Sequence, residues 1–237
     1  MSFRDPGDTM RSNLMGTLHL LEGVRALPAG ERPVVVAVGS CEEYGPIQDT
    51  SRPVTEETPC LPISPYGVSK AAQTQLCRQY ALSWNLPVVT TRSFSHTGPG
   101  HDPRFAFPSF AAQIAAAEAG QGPAEISTGD LSAVRDFLDV RDVVRAYILL
   151  QQRGRHGEAY NVCSGKPLTM SEGLEILVGV ARRPMTVIQD SDRLRPSDIP
   201  WMVGDSGKLR RDTGWTPERK FQETLLELLA EARKEYQ

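Results

Sequence analysis

Apolar residues recur along this chain with two different periods, and the alternation between them predicts its elements. Met10, Leu14, Leu18, Leu21 and Val24 return every three or four residues while Glu22 and Arg25 take the other face. That spacing predicts an amphipathic helix over residues 7–27, with Asn13 inside it. Pro33 to Gly39 (PVVVAVG) is uniformly apolar and β-branched, the pattern of a parallel strand buried on both faces, and its end delivers Ser40. A loop rich in Pro, Thr and Glu runs from Cys41 to Pro62. A helix is then predicted over Ser64 to Trp84, with Pro65 in its first turn. Leu86 to Thr91 reads as a second buried strand, followed by a Gly98-Pro99-Gly100 break, a helix around Pro108 to Glu118 and a short strand near Glu125 to Ser127. Asp139 to Leu150 is an amphipathic helix, Glu158 to Val162 a strand and Met170 to Val180 a helix. From Arg182 the chain turns polar and Pro-punctuated, with helices predicted at Ser206 to Thr213 and Phe221 to Tyr236. Alternating β and α units predict a doubly wound parallel sheet, whose ligands gather at the C-terminal ends of the strands. Ser40 and Ser95 both fall at such ends.

Composition narrows the classes. A chain of 237 residues with 40% hydrophobic content can bury one large core or two small ones. A net charge of −3 and a pI near 5.9 argue against a nucleic-acid or membrane-surface partner, so any anionic ligand is met locally. Cys41, Cys60, Cys77 and Cys163 lie far apart with no Cys-x-x-Cys pair, which indicates neither a disulfide framework nor a metal site. No apolar run has the length of a signal peptide or membrane span, and a cytoplasmic location is expected.

Chemistry enters with Tyr66 and Lys70. At i, i+4 on a helix they share a face, where the ammonium is expected to favour phenolate and lower the tyrosine pKa. With Ser40 upstream at a strand end, the set suits carbonyl reduction with a nicotinamide cofactor. A lone Tyr-x-x-x-Lys is a weak signal, and its order after an Asn-bearing helix and a Ser-ending strand strengthens it. No Gly-x-Gly-x-x-Gly loop follows a strand anywhere in the sequence.

Six ordered stretches carry a family resemblance: Asn13-Leu14-Met15-Gly16-Thr17, Gly39-Ser40-Cys41-Glu42-Glu43-Tyr44-Gly45, Ser64-Pro65-Tyr66-Gly67-Val68-Ser69-Lys70, Arg92 to Gly100, Arg135 to Val143, and Leu194-Arg195-Pro196-Ser197-Asp198. Together they resemble the extended short-chain dehydrogenase/reductases, in particular the GDP-4-keto-6-deoxy-mannose reductases. The resemblance implies a Rossmann-like domain over residues 1–98 and 124–163 and a nucleotide-sugar lobe over 99–123 and 164–237. It implies NADPH-dependent reduction of the C4 ketone of GDP-4-keto-6-deoxy-D-mannose to GDP-D-rhamnose, and a homodimer through helices 7–27 and 64–84. It makes Tyr66 the proton donor, Lys70 its partner and ribose ligand, Ser40 the hydroxyl on the ketone, and Asn13 a support for a proton path. Ser93 and His96 fall at cofactor-side positions. Ser95, Arg135, Arg195 and Asp198 fall at substrate positions, the two arginines being candidates for the diphosphate. Plain structural roles stand beside these: a solvent-facing Asn13, a loop-capping His96, surface ion pairs at Arg135 and Arg195. Ser93 and Ser95 replace the family's Pro and Asn, and Cys41 a Ser.

Two other functions remain open. Glu42 occupies the base position of the GDP-mannose 4,6-dehydratases, which share the triad. A non-catalytic binding or assembly remnant is the third reading, because the dinucleotide fingerprint of the family lies before the segment where this chain begins. The chain therefore reads as a fragment, expected to leave a central sheet edge exposed and to bind a dinucleotide weakly by itself.

Overall fold

In a computed structural model, described here for residues 2–194 and 199–236, helices and strands alternate as the two periods predict. The first helix comes in two pieces, α1 (Pro6–Met10) and α2 (Gly16–Ala26), joined by a π-helical turn at Arg11–Met15. Then come β1 (Val35–Ser40), α3 (Pro65–Trp84), β2 (Val88–Ser93), β3 (Ser95–Thr97), α4 (Ala106–Glu118) and β4 (Glu125–Thr128). They are followed by β5 (Val134–Asp139), α5 (Val140–Arg153), β6 (Ala159–Val162), β7 (Pro167–Thr169), α6 (Met170–Val178), β8 (Thr186–Gln189), β9 (Trp201–Met202), α7 (Gly207–Thr213) and α8 (Phe221–Lys234).

β1, β2 and β6 form a parallel sheet in that order, with Ser40 opposite Ser93 and Ser93 opposite Val162, so the three C-terminal ends are level. Successive strand residues face opposite sides. Val88 packs with Leu21, Val24, Cys77 and Tyr80 from α2 and α3, and Val89 with Val143, Ala146 and Leu150 from α5. Helices therefore cover both faces, and the fold is an α/β Rossmann-like one. β1 is the edge of this sheet, with Val38 41% exposed.

A second core holds Phe107, Phe110, Ile114, Leu174, Leu177, Leu225 and Leu228 from α4, α6 and α8. β5 lies between β3, β7 and β9 and was not legible as a strand, because Arg135, Asp136 and Asp139 interrupt its apolar pattern. Those carboxylates are buried but satisfied. Asp136 accepts from the amide and hydroxyl of Ser164 at 2.7 Å and from the amides of Gly165 at 2.8 Å and Gly204 at 3.3 Å. α5 opens one residue later than the spacing suggests, because Asp139 is its N-cap and accepts the Arg141 amide.

Candidate active site

The site is assembled where β1 ends and α3 begins. Ser40 leaves the sheet as the N-cap of the half-turn Cys41–Glu43: its Oγ accepts the Glu42 amide at 3.2 Å, while the Glu43 side chain accepts the Ser40 amide at 3.1 Å. α3 starts beside it because Ser64 caps the Gly67 amide at 2.9 Å and Pro65 needs no helical donor. Gly67 lets the helix approach, since a Cβ there would lie 2.7 Å from the Glu42 carbonyl. Glu42 is held by Ser64, whose hydroxyl donates to its carboxylate at 2.8 Å.

Ser40, Glu42 and Tyr66 therefore converge. Burial pushes the Tyr66 phenol up to about 12, the Ser40 side chain draws it down, and the charge of Glu42 raises it. This corrects the expectation of a phenol made acidic by Lys70. The lysine ammonium, 5.8 Å from the centre of the Tyr66 ring, is turned to the sheet edge, donating to the Val38 carbonyl at 2.8 Å and to Gln73 at 3.1 Å. Burial lowers the Lys70 pKa and the charge of Glu43 opposes that shift.

Asn13 is bound rather than solvent-facing. Its Nδ2 donates at 2.8 Å to Ser69, which precedes Lys70 and itself donates to the Tyr66 carbonyl at 2.7 Å. The π turn, a distortion that clusters at functional positions, brings Asn13 to that contact.

The other candidates line the neighbouring strand ends, Ser93 being the register partner of Ser40. Ser93 is buried and its hydroxyl bonds with Tyr147 at 2.7 Å, inside the fold. His96 bonds through Nδ1 to the Phe94 carbonyl at 2.9 Å, and it and Ser95 pair with Leu138 and Phe137 across β3 and β5. Arg135 donates to the Val134 carbonyl at 3.0 Å, and its charge reaches Cys41. Burial raises the Cys41 thiol to about 12, which disfavours the thiolate at neutral pH. Arg195 and Asp198 lie outside the described residues.

A buried network behind Ser40 escaped the sequence reading. Glu43, with no exposure, pairs with Arg92 at 3.1 Å, and Arg92 donates to the Tyr44 hydroxyl at 3.0 Å and the Glu56 carbonyl at 3.1 Å. Tyr44 donates to Asn161 at 2.6 Å. A signal existed: Arg92 directly follows the run Leu86 to Thr91 read as a buried strand, and a buried cation calls for a buried carboxylate.

Known proteins resemble this chain in sequence and in fold. The sequence profile of the family described as GDP-mannose 4,6 dehydratase matches residues 1–228. The chain is 36% identical over 230 residues to GDP-6-deoxy-D-mannose reductase of Pseudomonas aeruginosa, covering 97% of this chain and 75% of that one. It is 32% identical to dTDP-glucose 4,6-dehydratase of Xanthomonas campestris pv. campestris, covering 94% of this chain and 66% of that one. The structure of RMD from Pseudomonas aeruginosa complexed with NADPH superposes with a TM-score of 0.91 at 35% identity, over 99% of this chain and 77% of that one. That of dTDP-glucose 4,6-dehydratase from Bacillus anthracis in complex with NAD gives 0.80 at 29%, over 95% and 68%. On the profile match and these identities, the chain belongs to the GDP-mannose 4,6 dehydratase family of extended short-chain dehydrogenase/reductases.

Proposed function

We propose that this chain carries the ketone-reducing site of an NAD(P)-dependent nucleotide-sugar oxidoreductase, which converts GDP-4-keto-6-deoxy-D-mannose to GDP-D-rhamnose with NADPH. The observation that carries the reading is the convergence of the Ser40 hydroxyl and the Tyr66 phenol where β1 ends and α3 begins. A phenol, protonated at neutral pH, can give its proton to a ketone oxygen as reduction requires, whereas abstraction of a proton from a sugar alcohol requires phenolate. The similarity to a GDP-6-deoxy-D-mannose reductase and to an NADPH complex supports the choice of sugar and cofactor.

The donor set fits the nicotinamide-ribose end of a dinucleotide. Lys70 can exchange the Val38 carbonyl for ribose hydroxyls, and Tyr66 stands beside it. When bound, the nicotinamide supplies hydride. Ser40 then donates a hydrogen bond to the ketone oxygen as it gains charge, and Tyr66 passes its proton to that oxygen. Asn13, through Ser69, holds the first two turns of α3 on which Tyr66 and Lys70 sit.

Residues 1–98 and 124–163 are assigned to the dinucleotide side and 99–123 and 164–237 to the sugar side, which the separate core of α4, α6 and α8 supports. Arg135 is assigned to the diphosphate. Exposed Met15, Leu20, Val68, Leu82 and Trp84 on α2, α3 and the turn before α2 support pairing of two copies through these helices. Among the described residues no helix is long and apolar enough to cross a membrane, which is consistent with work in the cytoplasm.

Dehydration of GDP-mannose is the second reading, favoured by Glu42 beside Tyr66. One experiment separates the two, with the chain at millimolar cofactor. The reductase reading expects loss of NADPH absorbance at 340 nm with the keto sugar and no reaction of GDP-mannose with NADP⁺. Formation of a 4-keto product from GDP-mannose alone refutes it.

A further inference from the structure

Glu43 carries a fully buried carboxylate whose ligands come from three elements. Oε1 accepts the Ser40 amide of β1 at 3.1 Å and the Thr74 hydroxyl of α3 at 3.1 Å, and Oε2 accepts Nε of Arg92 in β2 at 3.1 Å. Gly39 makes room for it, because a Cβ there would collide with the carboxylate and with the Thr91 carbonyl. Balancing Arg92 accounts for one oxygen only. The other is committed to Ser40 and to the helix that carries Tyr66.

The consequence falls on the Ser40 hydroxyl. Its oxygen accepts the Glu42 amide within the turn that Glu43 closes, which leaves the hydroxyl proton to be donated elsewhere. We propose that Glu43 is a positioning residue for the reduction: it locks the turn Cys41–Glu43 so that Ser40 presents its hydroxyl as a donor to the substrate oxygen. This rests on the reductase reading. Glu43 lies behind Ser40 and need not touch the sugar.

Two variants of the chain test it. Glu43→Gln keeps the shape, and Glu43→Leu with Arg92→Leu removes the whole pair, a replacement that buried ion pairs often tolerate. With NADPH saturating, Glu43→Gln is expected to lose about ten- to hundredfold in kcat while KM for the keto sugar stays within about threefold, as misplacement of a catalytic group does. Exchange of the Ser40 amide with deuterium is expected to quicken about tenfold or more, because its acceptor is weakened. The double variant is expected to melt within roughly 10 °C of wild type and still turn over as slowly. A folded variant with wild-type kcat, or a slow one with unchanged Ser40 amide protection, overturns the proposal. Should wild type itself fail to reduce the keto sugar, the functional reading falls, and amide exchange alone still decides whether Glu43 holds Ser40.

Discussion

Arg92→Leu is expected to be among the costliest substitutions in the sheet, and the reason lies in what it leaves behind. Arg92 and Glu43 are 7% and 0% exposed and 3.1 Å apart, so neither charge can be handed back to water. Removing the cation strands a carboxylate held only by the Ser40 amide and the Thr74 hydroxyl. Breaking a buried pair in this way costs about 3–5 kcal/mol. The Glu56 carbonyl also loses its Arg92 donor, which adds about 1 kcal/mol, whereas Tyr44 keeps Asn161. Urea unfolding followed by circular dichroism should therefore show a loss of roughly 4–6 kcal/mol at unchanged m. Adding Glu43→Leu should return roughly half of the loss, because no lone charge remains although the Ser40 amide and the Thr74 hydroxyl lose their acceptor. The sign with pH follows from the Glu43 carboxyl, which burial raises above its usual range against the pull of Arg92. Without Arg92 it rises further, the folded state binds more protons than the unfolded one, and stability falls as pH increases. The defect of the single variant should accordingly shrink at pH 5 relative to pH 8. A loss under about 1 kcal/mol, or a double variant no better than the single one, would refute the reasoning.

Gly45→Ala should lower the melting temperature sharply, because φ is +67° there and a Cβ would collide with the Leu61 carbonyl; strain of this kind costs about 1–3 kcal/mol, and a shift below 2 °C would contradict it. The difference in absorbance titration between wild type and Tyr66→Phe should show a phenol ionising near 12, moved higher by Ser40→Ala, and ionisation below 10 would disprove the buried setting. For Asp139, burial works upward, but bonds to Arg141 and Thr224 prevail and hold it at about 2. The stability it contributes is complete above the ordinary carboxylate value and lost as pH falls towards 2, up to about 2 kcal/mol, so Asp139→Asn should flatten the acid limb of the stability curve.

Elements whose burial is uniform or periodic were legible in the sequence: β1 as an unbroken apolar run, β2 from its β-branched start, and α3 from its Ser64 and Pro65 start. What stayed hidden depends on contacts distant in sequence. The burial of Glu43 follows from a glycine four residues earlier and an arginine 49 residues later, and β5 depends on backbone donors at Ser164, Gly165 and Gly204 for its Asp136. The π turn at Asn13 leaves the apolar spacing intact, so periodicity could not reveal it. The expected pull of Lys70 on the Tyr66 phenol did not follow, because i, i+4 spacing fixes a shared face but not where a long side chain ends, and an edge carbonyl at Val38 competes for it.

The proposed transfer of a proton from Tyr66 to a sugar ketone presented by Ser40 is tested by reduction of GDP-4-keto-6-deoxy-D-mannose by the wild-type chain and Tyr66→Phe at millimolar NADPH, read at 340 nm. Turnover by wild type is expected, with a loss of about 10²–10⁴-fold in the variant and GDP-sugar affinity unchanged. Equal rates in the two proteins, or no turnover by wild type, would contradict it.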